Sequence, residues 1–377
     1  MSFVRSLQLH AFRNYRDTSV TDLKSGFVVL TGQNGVGKTN ILEAVSLLSP
    51  GRGLRSAKMV DLRNRAMPDG VPWSIASVVD TPVGEIRIGT GCREERRIAR
   101  VNGVDLKAQA DLAEYVTCVW LTPQMDGLFL GAASDRRRFF DRLVYAFDPA
   151  HAGRVTRYDS VMSQRSKLLK LAREDGVAAD SVWLSSLEAT MAETGVAIAA
   201  ARVQTLESLC AHLGSILKDS GFPVSHLALT GGIEEALQNA PALEIEDHMR
   251  ERLSASRSYD GVNGGASIGP HRTDLNVTYA GRDMPAAQCS TGEQKALLTG
   301  IVLAHAVRTA EVRDAAPILL LDEVAAHLDE KRRSSLFGIL HNLKAQVFLT
   351  GTDHFVFAHL PQARHLMVAS DIVREAA

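Results

Sequence analysis

The chain has 377 residues, more than one domain of ~150 residues accounts for, so two or three lobes are expected. Its hydrophobic content of 45% and charged content of 23% are those of a soluble globular protein. A net charge of −1 excludes a uniformly basic or acidic chain but leaves room for local clusters.

Basic groups do cluster, in residues 93–100 (REERRIAR) and at Arg136, Arg137 and Arg138. Cys92, Cys118, Cys210 and Cys289 lie far apart, with no C-x-x-C pair, which reads as buried free thiols in a reducing cytosol. The opening MSFVRSLQLHAFRNY has no apolar signal core. The mildest stretch, residues 195–201, is too short to span a bilayer. The expectation is a cytoplasmic protein with no membrane partner.

Strands dominate the first part. Leu7, Leu9 and Ala11 alternate with polar residues, and Val83, Glu85, Ile86, Arg87 and Ile88 do so more loosely. Residues 98–106 carry Asn102-Gly103 between two apolar runs, the signature of a type I′ hairpin. Residues 116–121 (VTCVWL) read as a buried strand.

From Ser134 to Leu217 the period becomes helical, with Tyr158, Val161, Met162, Arg165, Leu168, Leu169 and Ala172 on one stripe. Leu206, Leu209, Cys210, Leu213, Ile216 and Leu217 make another, and Asp175-Gly176 breaks between helices. The stripes are too short for a sustained coiled coil, so packed helices are expected. Residues 239–265 are polar and end in Gly and Ser, reading as a lobe edge or mobile loop. Strands resume at 274–279, a long helix follows Ser290, and further strands are expected at 317–321, 346–350 and 366–369.

The chemistry begins at TGQNGVGKTN, residues 31–40, directly after the apolar run 27–30. Gly32, Gly35, Gly37, Lys38 and Thr39 give G-x-x-x-x-G-K-[ST], which wraps backbone N–H groups around a phosphate chain at a helix N-terminus. Gln33, Asn34 and Asn40 belong to the same loop. Lys38 is expected at the β/γ-phosphates of ATP, and the Thr39 hydroxyl on Mg²⁺.

Far down the chain, residues 318–321 form an apolar run ending in Asp322-Glu323. An acid at the end of a strand parallel to the P-loop strand can hold Mg²⁺ through Asp322, with Glu323 placed to polarise the attacking water. No Asn-Lys-x-Asp element for guanine occurs. Between the two lies Ser290-Thr-Gly-Glu-Gln-Lys295, opening a helix. Taken alone it reads better as a capping box, although its free N–H groups could also serve an anion.

The order P-loop, Ser-x-Gly helix, Walker B carboxylates, then Leu328-Asp329 resembles that of ABC-type ATPases. That resemblance implies ATP sandwiched between one copy's Lys38 and the partner's Ser290 and Gly292, with Gln124 sensing Mg²⁺ and water and Asp329 at the junction. More specifically, the chain resembles the RecF family of SMC-like ATPases over nearly its whole length. LQLHAFRNYRD matches through Phe12, Arg13, Asn14 and Tyr15, placing Arg13 and Asn14 on the adenine side. PQMDGLFLGAASDRRRFFD matches through Pro123, Gly131, Arg136, Arg137, Phe139 or Phe140, and Asp141. LLLDEVAAHLDEKRRSSL matches through Asp322, His327, Leu328, Asp329, Lys331 and Leu336, and GPHRTDL matches at residues 269–275.

Three positions depart from the pattern. Thr291 stands where ABC signatures commonly have Gly, and Gln124 stands where the family often has an acid. The switch position after residues 346–350 offers both Thr352 and His354.

The resemblance implies an α/β, ABC-type P-loop ATPase head, a mixed sheet plus antiparallel strands, with an inserted helical lobe. Residues 1–133 and 266–377 would form the head and 134–265 the lobe. It implies weak, DNA-stimulated ATP hydrolysis by an ATP-dependent homodimer that clamps duplex, gapped or junction DNA and acts with RecR and RecO in recombinase loading. The alternatives are an ABC-type subunit driving another assembly and a nucleotide-gated scaffold with negligible turnover. Arg52 and Arg55 are candidates for DNA phosphates or for plain surface, and the Arg136 cluster for a solvated face, conformational coupling or DNA contact. Trp73, Trp120, Trp183 and His271 read as packing residues.

Overall fold

The computed structural model describes residues 2–375 except 83, 95 and 177. Val83, one member of the expected alternation, and Glu95 within the basic run lie outside the described residues, as does the side chain of His327. Among the described residues no helix is long and apolar enough to cross a membrane.

The first third contains β1 (Phe3–Phe12), β2 (Tyr15–Val20), β3 (Gly26–Thr31), α1 (Lys38–Ser46), β4 (Ser74–Thr81), β5 (Gly84–Arg93), β6 (Arg96–Val101), β7 (Val104–Asp105) and β8 (Cys118–Leu121). The expected hairpin joins β6 to β7, with Asn102 at φ 50° and Gly103 at φ 83°, the two positive values a type I′ turn demands.

The middle third holds α2 (Ala133–Phe147), α3 (Ala150–Asp175), α4 (Ser181–Ile216), β9 (Ser225–Thr230), α5 (Gly232–Ala236), α6 (Ala242–Ala255) and α7 (Arg257–Asn263). Gly176, left-handed at φ 67°, closes α3 where the break was expected. Residues 239–265 are a correction: most of that polar stretch is helical, in α6 and α7. Ile245, Met249 and Leu253 on α6, spaced four apart, are buried. A three-residue apolar stripe suffices for a helix that covers only one side of a core.

The last third runs β10 (Asp274–Tyr279), β11 (Met284–Pro285), α8 (Thr291–Arg313), β12 (Ile318–Leu321), α9 (Glu330–Leu343), β13 (Gln346–Gly351), β14 (Arg364–Ala369) and β15 (Ile372–Glu375).

Two six-stranded sheets organise the molecule. One is antiparallel in the order β2-β1-β4-β5-β6-β7. The other runs β15-β14-β3-β13-β12-β8 and is parallel except for the β14–β15 pair. Its strands alternate between two cores. Val28, Leu30, Trp120, Ile318, Leu320 and Phe348 face α1 and the antiparallel sheet. Val29, Val119, Leu319, Leu321, Val347 and Leu349 face α8 and α2.

Because both faces are covered, residues 318–321 form an unbroken apolar run, each at most 1% exposed. Burial of each such side chain contributes about 1.5–3 kcal/mol. The Gln346 carboxamide pins the sheets together, accepting from Val4 N–H at 2.8 Å and donating to Val4 O at 2.8 Å and Lys24 O at 3.0 Å.

The helices divide between cores. Phe139, Phe140, Leu143 and Val144 of α2, with Leu209 and Leu213 of α4, join the core under the parallel sheet. Tyr158 and Val161 of α3 pack with Leu187, Met191 and Val196 of α4 and the α6 stripe in a third core. Arg165 is fully buried there, donating to Glu188 at 2.9 Å, Asp260 at 2.7 Å and Leu253 O at 2.7 Å.

A second buried network centres on Asp141, which accepts from Arg202 at 2.8 and 2.9 Å and sits 2.8 Å from His151. Burial alone would raise the Asp141 pKa, but Arg202 and His151 hold it down at about 2. Trp73 and Trp120 are packed as expected, at 1% and 6% exposed, whereas Trp183 near the start of α4 is half exposed. The cysteines are free; Cys118 and Cys289 are buried, but Cys210 is exposed.

Candidate active site

The parallel strands β3, β8, β12 and β13 end on one edge of their sheet, and the loops leaving those ends converge there. After β3 comes the Gly-rich loop. Gly32 has φ 150° and Gly37, the N-cap of α1, has φ 112°. A Cβ on Gly32 would run into Val368 O; one on Gly37 would lie 2.6 Å from Asn14 Nδ2 and 2.8 Å from the Tyr15 hydroxyl. Both positions therefore require glycine for space as well as conformation.

Lys38 is only 5% exposed and donates to Gly32 O at 2.7 Å and Gln33 O at 2.8 Å, which folds the loop into a ring around its ammonium. Burial lowers the Lys38 pKa, opposed by the nearby Glu323 and Asp322 carboxylates. Those two acids thus stand beside the P-loop lysine although they follow it by about three quarters of the chain.

Asp322 is 5% exposed. Its N–H continues the β8 ladder to Leu121 O at 2.9 Å. Thr39 Oγ1 lies 3.0 Å from both its carboxylate oxygens, and Thr350 Oγ1 donates to Oδ1 at 2.7 Å. The same Thr350 oxygen accepts the Glu323 N–H at 2.9 Å. Glu323 sits in the left-handed region at φ 56°, a conformation costing about 1–3 kcal/mol for a non-glycine residue. Thr350, at the end of β13, therefore holds Asp322 through its proton and the strained Glu323 backbone through its lone pair. A hydroxyl and a carboxylate this close are hard oxygen donors of the kind Mg²⁺ takes.

Asn14 and Asn40 join the loop from outside. Asn40 Nδ2 donates to Asn14 Oδ1 at 2.6 Å, Asn14 Nδ2 donates to Val36 O at 3.0 Å, and the Tyr15 hydroxyl donates to Gly37 O at 3.0 Å. Arg13 is held from below by α1. It is left-handed at φ 55° and forks onto the fully buried Glu43 carboxylate, 2.7 Å to each oxygen, which Arg55 also contacts at 3.0 Å.

Gln124 lies on the tight helical turn Pro123–Met125 after β8, exposed. Ser290 caps α8: its hydroxyl accepts the Glu293 N–H at 3.3 Å, and the Glu293 carboxylate accepts the Ser290 N–H at 2.9 Å. Ser290, Thr291 and Gly292 are exposed, and among the described residues no hydrogen bond joins them to the loop at 32–40. Gln33, Asn34 and Gly35 form the exposed or half-exposed crown of that loop. Asp329 is the exposed N-cap of α9, accepting from Arg332 N–H at 2.8 Å.

Thr352 and His354 are both exposed just past β13, with the His354 ring 6.2 Å from that of His365. One chain thus assembles Lys38, Thr39, Asp322 and Glu323 and leaves Ser290, Gly292 and Asp329 facing solvent.

Sequence reasoning missed Thr350 and Glu43. Thr350 was visible only as the polar end of an apolar strand. Glu43 was visible as the one acid in the otherwise apolar and small run of α1 that follows Asn40.

The arginine clusters divide by environment. Arg136 forks onto Asp274 at 2.8 Å to each oxygen, and Arg137 donates to Thr273 O at 2.7 Å, tying α2 to the GPHRTD segment. Arg97, in the basic run, is 8% exposed; it donates to Leu47 O and Gly51 O behind the P-loop helix, and burial lowers its pKa to about 10. His271 bridges Tyr158 and Ala266 O at 2.9 Å each, as core support.

Residues 3–371 match the family described as RecF/RecN/SMC N terminal domain. The chain is 46% identical over 361 residues to the DNA replication and repair protein RecF of Mesorhizobium japonicum, covering 95% of this chain and 93% of that one. With the protein of the same name from Brucella suis the identity is 48% over 358 residues, covering 94% and 91%.

Among solved structures, the recombination mediator protein RecF bound to ATP, described as part of the RecFOR pathway, superposes with a TM-score of 0.85 across 100% of this chain and 98% of that one, at 24% identity. The Smc head domain of Pyrococcus furiosus gives 0.56 at 15% identity, across 100% and 96%. At these identities the likeness is one of fold.

Proposed function

This chain belongs to the RecF family of DNA replication and repair proteins, and on that premise we propose that it is an ATP-dependent DNA-binding ATPase of recombinational repair. The observation that carries the reading is the meeting of Lys38, Thr39, Asp322, Thr350 and the Glu323 amide at one sheet edge.

The loop N–H groups and Lys38 would receive the phosphates of ATP, with the Lys38 protons turning from Gly32 O and Gln33 O to the ligand. Arg13 and Asn14 flank the adenine side in this reading. Thr39, Asp322 and Gln124 would hold Mg²⁺, which supplies charge neutralisation on the β/γ-phosphates. Glu323 would take a proton from the attacking water. Thr352 or His354 would sense the γ-phosphate.

Ser290 and Gly292, exposed at the head of α8, would complete the site on a second copy, with Asp329 at the seam. ATP then closes a homodimer and hydrolysis reopens it. Residues 1–133 and 266–377 act as the head and 134–265 as the helical lobe. The closed dimer would clamp DNA near gaps or junctions through phosphate contacts, in the cytoplasm, and cooperate with RecR and RecO in recombinase loading.

The test is a titration of gapped, duplex and single-stranded DNA with and without ATP at several salt concentrations. The reading expects ATP to tighten binding and log K to fall with log salt by ~0.9 per phosphate contacted. Binding indifferent to both ATP and salt would refute it.

A further inference from the structure

Beside the nucleotide cleft, and sharing Gln124 with it, lies a cavity of about 340 Å³, walled by the loop at 54–56, the end of β8, the turn after it and α2. Arg55, Arg138 and Arg142 line it with Thr122 and Asp135, against the ring of Trp120. Two of the three arginines have partners: Arg55 contacts Asn40 and Glu43, and Arg138 contacts Asp135.

Arg142 has no carboxylate partner among the described residues. Its guanidinium carbon lies 3.9 Å over the Trp120 ring, one nitrogen is 3.8 Å from Met125 Sδ, and Nε is shielded from solvent with no hydrogen-bond partner. Burial, only partly offset by the nearby Tyr145 hydroxyl, lowers the Arg142 pKa to about 9. Thr122, 6% exposed, also lines the cavity, and its Oγ1 has no partner. A guanidinium with no carboxylate and an Nε without a partner, beside an unpaired hydroxyl lining the same cavity, is costly without a ligand that accepts their protons.

We propose that this cavity is a second phosphate-binding site, in which Arg142 and Thr122 hold one phosphate group and Arg138 flanks it. Thr122, just past β8, and Arg142 on α2 line the cavity from two different elements, and a tetrahedral anion has acceptor oxygens enough for both. The Trp120 ring orients the guanidinium as cation–π support. The phosphate is either a phosphodiester of bound DNA, which rests on the function proposed above, or a free phosphate anion.

Two arms separate the sources. In the first, inorganic phosphate and pyrophosphate are titrated calorimetrically into the full chain carrying Lys38→Ala, which disables the P-loop. They are then titrated into the same chain with Arg142→Gln or Thr122→Val added. In the second, duplex DNA is titrated across salt concentrations into the otherwise wild-type chain with either substitution. Thr122→Val removes only a hydroxyl that bonds nothing, so it reports even if Arg142→Gln fails to fold.

A tenfold loss of free-phosphate binding in the first arm identifies the free anion. A tenfold loss of DNA affinity, with the salt slope shallower by about 0.9 for Arg142→Gln, identifies the phosphodiester. If neither arm responds to either substitution, the site does not exist. A wild-type chain that binds no DNA at any salt would sink the DNA-binding reading instead, leaving the first arm to decide this one.

Discussion

Replacing Thr350 by Val keeps the shape of the β13 end and deletes one oxygen that serves two acids. The Asp322 carboxylate loses a donor at 2.7 Å and the Glu323 N–H loses its acceptor at 2.9 Å. Hydrogen bonds to charged groups are worth about 1.5–3 kcal/mol, and leaving a buried donor unpaired costs about 1–3 kcal/mol. Glu323 is left-handed at φ 56°, so the freed backbone gains about 1–3 kcal/mol by relaxing, which carries the side chain away from its position beside Lys38.

Since about 1.4 kcal/mol is a factor of ten in rate, single-turnover ATP hydrolysis should fall about 10- to 100-fold. ATP affinity, set mainly by the loop at 32–40, should change far less. Thr350→Ser retains the hydroxyl and should retain most activity. The assay is rapid-mixing hydrolysis under saturating ATP beside an equilibrium ATP titration. Wild-type hydrolysis in a folded Thr350→Val protein would refute the role given to this hydroxyl.

Glu323→Gln should bind ATP normally, lose about 10²- to 10⁴-fold in turnover, and accumulate as closed dimers on DNA; steady-state hydrolysis and sedimentation check both, and normal turnover removes Glu323 as the base. His305 predicts a pH dependence of stability: it is 0% exposed, Nε2 donates to Leu143 O at 2.8 Å, and burial lowers its pKa from 6.5 to about 4. The unfolded chain therefore binds a proton that the folded one refuses. The stabilisation is fully present above pH 6.5 and is lost as pH falls through 4, by up to about 1.4 kcal/mol per unit. Denaturant titrations across that window should show the slope in wild type and a flatter one in His305→Gln.

How much of this site could be read from the chain depends on whether a residue's role is local. Gly32, Gly37, Lys38 and Thr39 act through a turn only ten residues long, and Asn102-Gly103 and the Ser290–Glu293 cap are equally local, so each was legible. Asp322-Glu323 was legible because a strand buried on both faces announces itself by an unbroken apolar run. Thr350 was not, because its partners are fixed by β13 lying beside β12, a pairing no spacing encodes.

Arg97 misled in the other direction. It stands in a run of charge that reads as surface, yet the pleat turns it inward onto the carbonyls behind α1 while Arg96 and Arg100 face out. The helices at residues 242–263 were hidden by composition, since a three-residue stripe is faint amid polar neighbours. Arg13 illustrates a third limit: the opening motif pointed to the adenine side, and only packing shows that its guanidinium is also forked onto Glu43.

The central claim is that one copy's Lys38 works with the other copy's Ser290. Lys38→Ala removes the P-loop ammonium and Ser290→Arg blocks the α8 cap, so each homodimer has two dead sites. A mixed dimer unites the intact loop of one chain with the intact cap of the other in a single whole site. Mixing the two inactive proteins, with subunit exchange verified, should restore ATP hydrolysis, or at least ATP-dependent crosslinking of closed mixed dimers if the two sites fire only together. A mixed dimer that exchanges subunits yet neither hydrolyses ATP nor closes on it contradicts the shared site.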